Sequence, residues 1–218
     1  MKELLFIKIL KFANKIVSIS EQTQNELKQY GFCSEVIFDP VSPSFIYIPK
    51  SINRENPVIL HIGTRPNKNL KKTILALKGT PCHLRIVGNL SAGNKILLHD
   101  NGIKYSSCTN ISDDELVEEY RKCDVANFPS LYEGFGMPII EGQATGRVVV
   151  TSNRSPMKEV AGGSAVLVNP DDITSIRRGY REAINNGESY IEKGLINVKR
   201  FSIETIAIQY LNLIKSIL

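Results

Sequence analysis

Short apolar runs alternate with amphipathic stretches along most of this chain. Val58-Ile59-Leu60-His61-Ile62, Leu84-Arg85-Ile86-Val87-Gly88, Ile103-Lys104-Tyr105, Val125-Ala126-Asn127-Phe128, Val148-Val149-Val150-Thr151 and Ala165-Val166-Leu167-Val168 read as strands, several apolar on both faces. Between them lie helical patterns over 70–78, 92–99, 112–122 and 138–145. Ser112-Asp113-Asp114-Glu115 is a capping box. Nearer the N-terminus, residues 1–15 suit an amphipathic helix and Ile16-Val17-Ser18-Ile19 a buried strand. Ser20 to Thr23 then offers an N-cap for a helix ending at Gly31, before a strand at Glu35-Val36-Ile37-Phe38. Beyond Asp171 the pattern is helical over 172–186, 189–199 and 202–218.

Strands alternating with helices dictate parallel pairing, right-handed crossovers and a sheet covered on both faces. The expected fold class is therefore α/β, a doubly wound, Rossmann-like parallel sheet flanked by helices. Ligands of such sheets sit at the carboxyl ends of the strands, which places the loops after Ile62, Val87 and Phe128 on the functional edge. Four prolines fall within residues 40–57. The expected division is an N-terminal part over 1–45, a linker over 46–57, a main domain over 58–200 and a closing helix over 201–218.

Composition narrows the classes. Of 218 residues, 42% are hydrophobic and 22% charged, with a net charge of +5 and no Trp. No basic patch interleaved with aromatics is present, so nucleic acid is not expected as a partner. Cys33, Cys82, Cys108 and Cys123 are too irregularly spaced for a zinc set or a disulfide framework. His61, His83 and His99 are equally scattered, so no metal is expected, and His61, lying before its strand's end, reads as a packed residue. No apolar run approaches the ~20 residues that span a bilayer. Leu4 to Leu10 is interrupted by Lys8 and lacks a following cleavage site, which argues against a secretory signal and for a cytoplasmic protein. Residues 4–17 also suit an amphipathic surface helix, which would place the protein at the periphery of the inner membrane face.

The most informative stretch is Pro129-Ser130-Leu131-Tyr132-Glu133-Gly134-Phe135-Gly136-Met137-Pro138-Ile139-Ile140-Glu141-Gly142. It follows a buried strand, turns at glycines and enters a helix at Pro138, a strand–loop–helix tip that binds anions. Glu133 and Glu141, with seven residues between them, frame that tip. Paired carboxylates around an anion make sense as acceptors for hydroxyl groups on either side of a phosphate.

This stretch resembles the donor-sugar motif of retaining glycosyltransferases with two Rossmann-like domains (the GT-B fold), in particular family 4. The resemblance continues through Gly146-Arg147-Val148-Val149-Val150-Thr151-Ser152-Asn153, Glu159-Val160-Ala161-Gly162 and Ala165-Val166-Leu167-Val168-Asn169-Pro170. It implies a metal-independent enzyme that needs no cofactor and moves a sugar from a nucleotide diphosphate such as a UDP- or GDP-sugar. The acceptor would be a glycan or a lipid-linked sugar in polysaccharide or lipopolysaccharide synthesis. By the same resemblance Glu133, Lys68 and Arg65 are the catalytic candidates. Glu141 binds ribose, and Gly134, Phe135, Gly136 and Met137 contact sugar and phosphate. Gly63 and Thr64 admit the donor, and Gly88, Asn110 and Ile111 border the base. The loop departs from the family pattern: Thr64 follows Gly63, and Arg65 stands only three residues before Lys68. Residues 1–45 resemble only the tail of the family's acceptor domain. The sequence thus admits a second reading, a nucleotide-sugar-binding module completed by a missing N-terminal half, a partner or a membrane surface.

Overall fold

A computed structural model describes residues 9–217. Among the described residues there are eight strands: β1 (Val17–Ser18), β2 (Glu35–Val36), β3 (Val58–Ile62), β4 (His83–Val87), β5 (Tyr105–Cys108), β6 (Val125–Phe128), β7 (Val148–Ser152) and β8 (Val166–Val168). The helices are α1 (Glu21–Gln29), α2 (Leu70–Leu77), α3 (Ala92–Asp100), α4 (Asp113–Lys122), α5 (Met137–Ala144), α6 (Met157–Ala161), α7 (Ile173–Asn197) and α8 (Ile203–Lys215).

Strands β3 to β8 form one parallel sheet in the order β5-β4-β3-β6-β7-β8. The chain winds outward from β3 in one direction, then returns to β6 and winds in the other. The strand order reverses between β3 and β6, so the crevice opens at their carboxyl ends. The loops there are the one beginning at Gly63 and the one beginning at Pro129. His61 of β3 stands beside Asn127 of β6 in register, just below that opening.

Helices cover both faces because the inner strands are apolar on both. One cluster joins Ile59, Leu84, Ile86, Val148 and Val150 to Ile74 and Leu77 of α2 and Ile176 and Tyr180 of α7. The other joins Leu60, Phe128 and Val149 to Tyr120 of α4, Ile139 and Ile140 of α5 and Phe201. Separately, β1 and β2 pair in parallel, and Ile37 packs against Ile206 and Leu213 of α8.

One expected strand boundary moved. Strand β5 runs over Tyr105–Cys108 rather than 103–105, because at this sheet edge alternate residues are exposed and Ser106 and Ser107 are tolerated. Residues 173–197 are helical on both sides of a kink at Asn186 (φ −125°, ψ 17°), where the expected break between the helices over 172–186 and 189–199 falls. The predicted helix over 1–15 lies largely outside the described residues, within which Leu10–Phe12 make a 3-10 turn. The short helix α6 was not anticipated from the pattern.

Candidate functional site

Helix α5 starts at Met137, one residue earlier than the proline suggested, with Pro138 in its first turn. Its N-cap is Gly136, at φ 122° and ψ 50°, a backbone conformation that side-chain-bearing residues rarely hold. Among the described residues, the N–H groups of Gly134, Phe135 and Gly136 donate no hydrogen bond. Together with the start of α5 they leave free donors at the crevice, the arrangement an anion needs. The Phe135 side chain turns away from it. Its ring is buried against Phe38 and Phe201, with centroids 5.9 and 5.7 Å apart. Only the backbone of Phe135 is thus placed to meet a ligand.

The opposite wall comes from the loop after β3. Gly63, at φ 88°, lies against the Lys68 stem; a Cβ there would meet Lys68 Cγ at 2.9 Å. This close approach sends the ammonium across the crevice to Glu133, where Nζ lies 2.8 Å from Oε1. Asn67 Nδ2 donates to the same carboxylate oxygen at 3.2 Å, and Leu131 N–H donates to Asn67 O. Lys68 Nζ also sits 4.7 Å from the Phe128 ring centroid, over its electron-rich face. Arg65 is placed differently. It is exposed and makes no ion pair among the described residues. Thr64 Oγ1 donates to Asn89 O at 2.7 Å and so ties the first two crevice loops together.

Glu141 lies deeper, in α5, and is buried. Tyr120 Oη donates to its Oε2 at 2.6 Å. Burial pushes the Glu141 carboxyl above the usual range, while the Tyr120 hydroxyl and the Lys68 charge pull it back. Tyr120 was not singled out from the sequence. Its only signal was its place on the apolar face of α4, three residues after Val117.

Beyond the loop of Gly88, a cavity of about 270 Å³ opens between Gly88-Asn89 and Thr109-Asn110-Ile111, closed by Ile62, Val87 and Leu116. Asn110 takes φ 55°, which folds its loop back over this space. Gly88, Asn110 and Ile111 thus line a hollow on the sheet edge shared with Lys68 and α5.

His61 is buried in a polar cluster under the crevice. Asn127 Nδ2 donates to His61 Nδ1 at 2.8 Å, and Tyr180 Oη donates to Asn127 Oδ1 at 2.9 Å. Burial, with the nearby Lys68 charge, lowers its pKa to about 4, the Gly63 backbone acting the other way. Nε2 has no partner at hydrogen-bond geometry among the described residues.

Comparison with known proteins bears on the fold and the family. Over 93% of its length the chain is 25% identical to O-antigen chain mannosyltransferase B of Escherichia coli, of which it spans 61%. An 82-residue segment is 37% identical to the serotype-specific mannosyltransferase WbdA of the same organism, covering 38% of this chain and 10% of that protein. Among solved structures, sucrose-phosphate synthase from Thermosynechococcus elongatus superposes with a TM-score of 0.84 at 19% identity, over 98% of this chain and 60% of that one. Anabaena HepE, solved with UDP and glucose, gives 0.80 at 19% identity, over 97% and 66%. The chain therefore spans about three fifths of mannosyltransferase B and no more than two thirds of either solved structure, and the structural likenesses concern the fold. The sequence model of the family described as glycosyl transferases group 1 matches residues 46–194, a stretch that holds β3 to β8, Lys68 and both carboxylates of the crevice, and the chain belongs to that family.

Proposed function

We propose that this chain is the donor-binding part of a retaining, metal-independent family 4 glycosyltransferase. It takes a nucleotide-diphosphate sugar and passes the sugar to a glycan or lipid-linked acceptor. The relatives named as O-antigen mannosyltransferases support a role in polysaccharide or lipopolysaccharide synthesis. The observation that carries the reading is the Lys68–Glu133 pair, held 2.8 Å apart beside unbonded N–H groups at the start of α5.

The chemistry follows from charge. As the anomeric C–O bond breaks, the sugar ring becomes positive and the leaving diphosphate gains negative charge. Fixed donors in a sheltered crevice stabilise the leaving group best when they need no rearrangement. In this proposal Lys68 and the N–H groups of Gly134 to Met137 face the diphosphate, joined by Arg65 as the cleft fills. Glu133 accepts from sugar hydroxyls and faces the developing ring charge. Glu141 accepts from ribose, and the nucleobase enters the cavity between Gly88-Asn89 and Asn110-Ile111.

A second reading rests on a specific observation. Ile208, Leu211 and Ile214 of α8 and Phe12 near the N-terminus are exposed apolar residues. In this reading the chain binds the donor but turns over only when further sequence, a partner or a membrane surface supplies the acceptor side. No helix among the described residues is long and apolar enough to cross a membrane. Binding and turnover assays with a panel of UDP-, GDP- and ADP-sugars separate the two. Binding with transfer supports the enzyme, and binding without transfer supports the module. Glu141→Ala weakens binding of the free nucleotide, and Glu133→Ala weakens binding of the sugar donor. Parent-like binding by both variants overturns the site.

A further inference from the structure

Glu141 has two carboxylate oxygens, and a side chain from another helix already holds one. We propose that Tyr120 is a positioning residue for nucleotide recognition: its hydroxyl grips Oε2 of Glu141 and leaves Oε1 turned to the ligand. The inference rests on the reading of Glu141 as the ribose acceptor. Tyr120 is fully buried in α4, and its hydroxyl lies 2.6 Å from Oε2 and 3.4 Å from Pro138 O. The Phe45 ring meets it edge-on at a centroid separation of 5.5 Å, so the phenol has little room to swing. A buried carboxylate without a donor would rotate freely or take up a proton. The hydroxyl prevents both and points the carboxylate toward the nucleoside.

The groups that face Glu141 are few. Tyr120 and Lys68 favour the ionised form, while Asp113, at the start of α4, and burial itself oppose it. Removing the phenolic hydroxyl takes away one of the two groups on the favourable side. Glu141 then protonates at higher pH, and a protonated carboxyl is a poorer acceptor for two hydroxyl groups. The acid-side loss of nucleotide affinity therefore moves to higher pH.

The test measures nucleoside diphosphate binding by calorimetry from pH 5 to 8 for the parent, Tyr120→Phe and Glu141→Ala. It is repeated with the 2′,3′-dideoxy ligand, which lacks the ribose hydroxyls. Tyr120→Phe should bind the natural ligand roughly tenfold more weakly at neutral pH, the order of one hydrogen bond to a charged group. Its acid fall-off should begin at higher pH than the parent's, and its affinity for the dideoxy ligand should match the parent's. Phe45→Leu, which loosens the ring but keeps the hydroxyl, should give the same pattern more weakly. Equal losses with both ligands, or an unmoved acid limb, overturn the role of Tyr120 while Glu141→Ala still shows its own loss. Parent-like binding by Glu141→Ala overturns the ribose reading and this inference with it.

Discussion

Lys68 and Glu133 come from opposite walls of the crevice, one from the loop after β3 and the other from the loop after β6, yet their charged groups stand 2.8 Å apart. The two loops flank the point where the strand order reverses, so the pair spans the crevice there. In the proposed reaction a diphosphate displaces part of this contact: the ammonium turns to phosphate and the carboxylate to sugar. The ion pair thus holds both groups in place at the crevice.

Replacing Lys68 by Met keeps the apolar stem and removes the charge. Turnover should fall by about 10² to 10³, the order of one preorganised charge-stabilising donor. Affinity should fall more for a nucleoside diphosphate than for the nucleoside alone. Arg65→Ala gives the contrast. The side chain is exposed and has no ion-pair partner among the described residues, so stability should stay within about 0.5 kcal/mol. Its effect should appear only with diphosphate ligands and fade with added salt. Calorimetry and steady-state rates on the two variants check this, and equal behaviour toward nucleoside and diphosphate would refute it.

Gly63 links backbone to chemistry. At φ 88°, with Lys68 Cγ 2.9 Å from where a Cβ would stand, alanine strains the turn and pushes the lysine stem aside. Gly63→Ala should lose donor affinity more steeply than its loss of stability explains. The destabilisation should be of order 1–3 kcal/mol, as for other residues forced into a sparsely populated conformation. Urea denaturation beside ligand titration separates the two losses. A variant that is destabilised but binds the donor as tightly as the parent would dissociate Gly63 from Lys68.

His61 sets a pH dependence of folding. Its pKa is lowered from 6.5 to about 4 in the folded state, chiefly by burial. The unfolded chain therefore binds a proton near pH 6.5 that the folded chain refuses until about pH 4. Stability from this group is complete above pH 6.5 and is lost as pH falls through that window. Each pH unit is worth about 1.4 kcal/mol for one proton, so the window represents about 3 kcal/mol. His61→Gln should be less stable at pH 7 but lose less on acidification. Urea midpoints at pH 7 and pH 5 measure it, and parallel acid losses in parent and variant would rule the histidine out as the source.

The sheet was legible because β3, β6 and β7 are apolar on both faces, a pattern that only a doubly covered parallel sheet explains. The turn into α5 was legible because Gly136 frees the backbone for a positive φ and Pro138 fixes φ at a helix start. The partners of the two carboxylates were harder to see. Tyr120 touches Glu141 from 21 residues away, and in the sequence it is one more apolar-face residue of an amphipathic helix. Phe135 sits between the motif glycines and reads as a contact residue, but its ring was claimed by Phe38 and Phe201, which no local pattern announces. Strand β5 slipped because Ser106 and Ser107 carry no apolar signal at a sheet edge.

The motif loop is also fastened from outside the large sheet. Ser20 is the N-cap of α1, accepting from Thr23 N–H at 3.2 Å, and its hydroxyl hydrogen donates to Gly134 O at 2.6 Å. One side chain therefore starts a helix and fixes the carbonyl that orients the Gly134–Phe135 peptide. Two substitutions separate these tasks. Ser20→Asp keeps a capping acceptor but sets a carboxylate against the Gly134 carbonyl, whereas Ser20→Ala removes both contacts. Ser20→Ala should lower stability by about 1 kcal/mol, the usual loss of a cap. Ser20→Asp should preserve more of the helix while repelling the loop, so its donor affinity should fall at least as far as that of the alanine variant. Thermal melts report the first effect and donor titrations the second. Should the aspartate variant bind the donor like the parent, the loop peptide is held by its own turn and by the Phe135 ring, and Ser20 serves α1 alone.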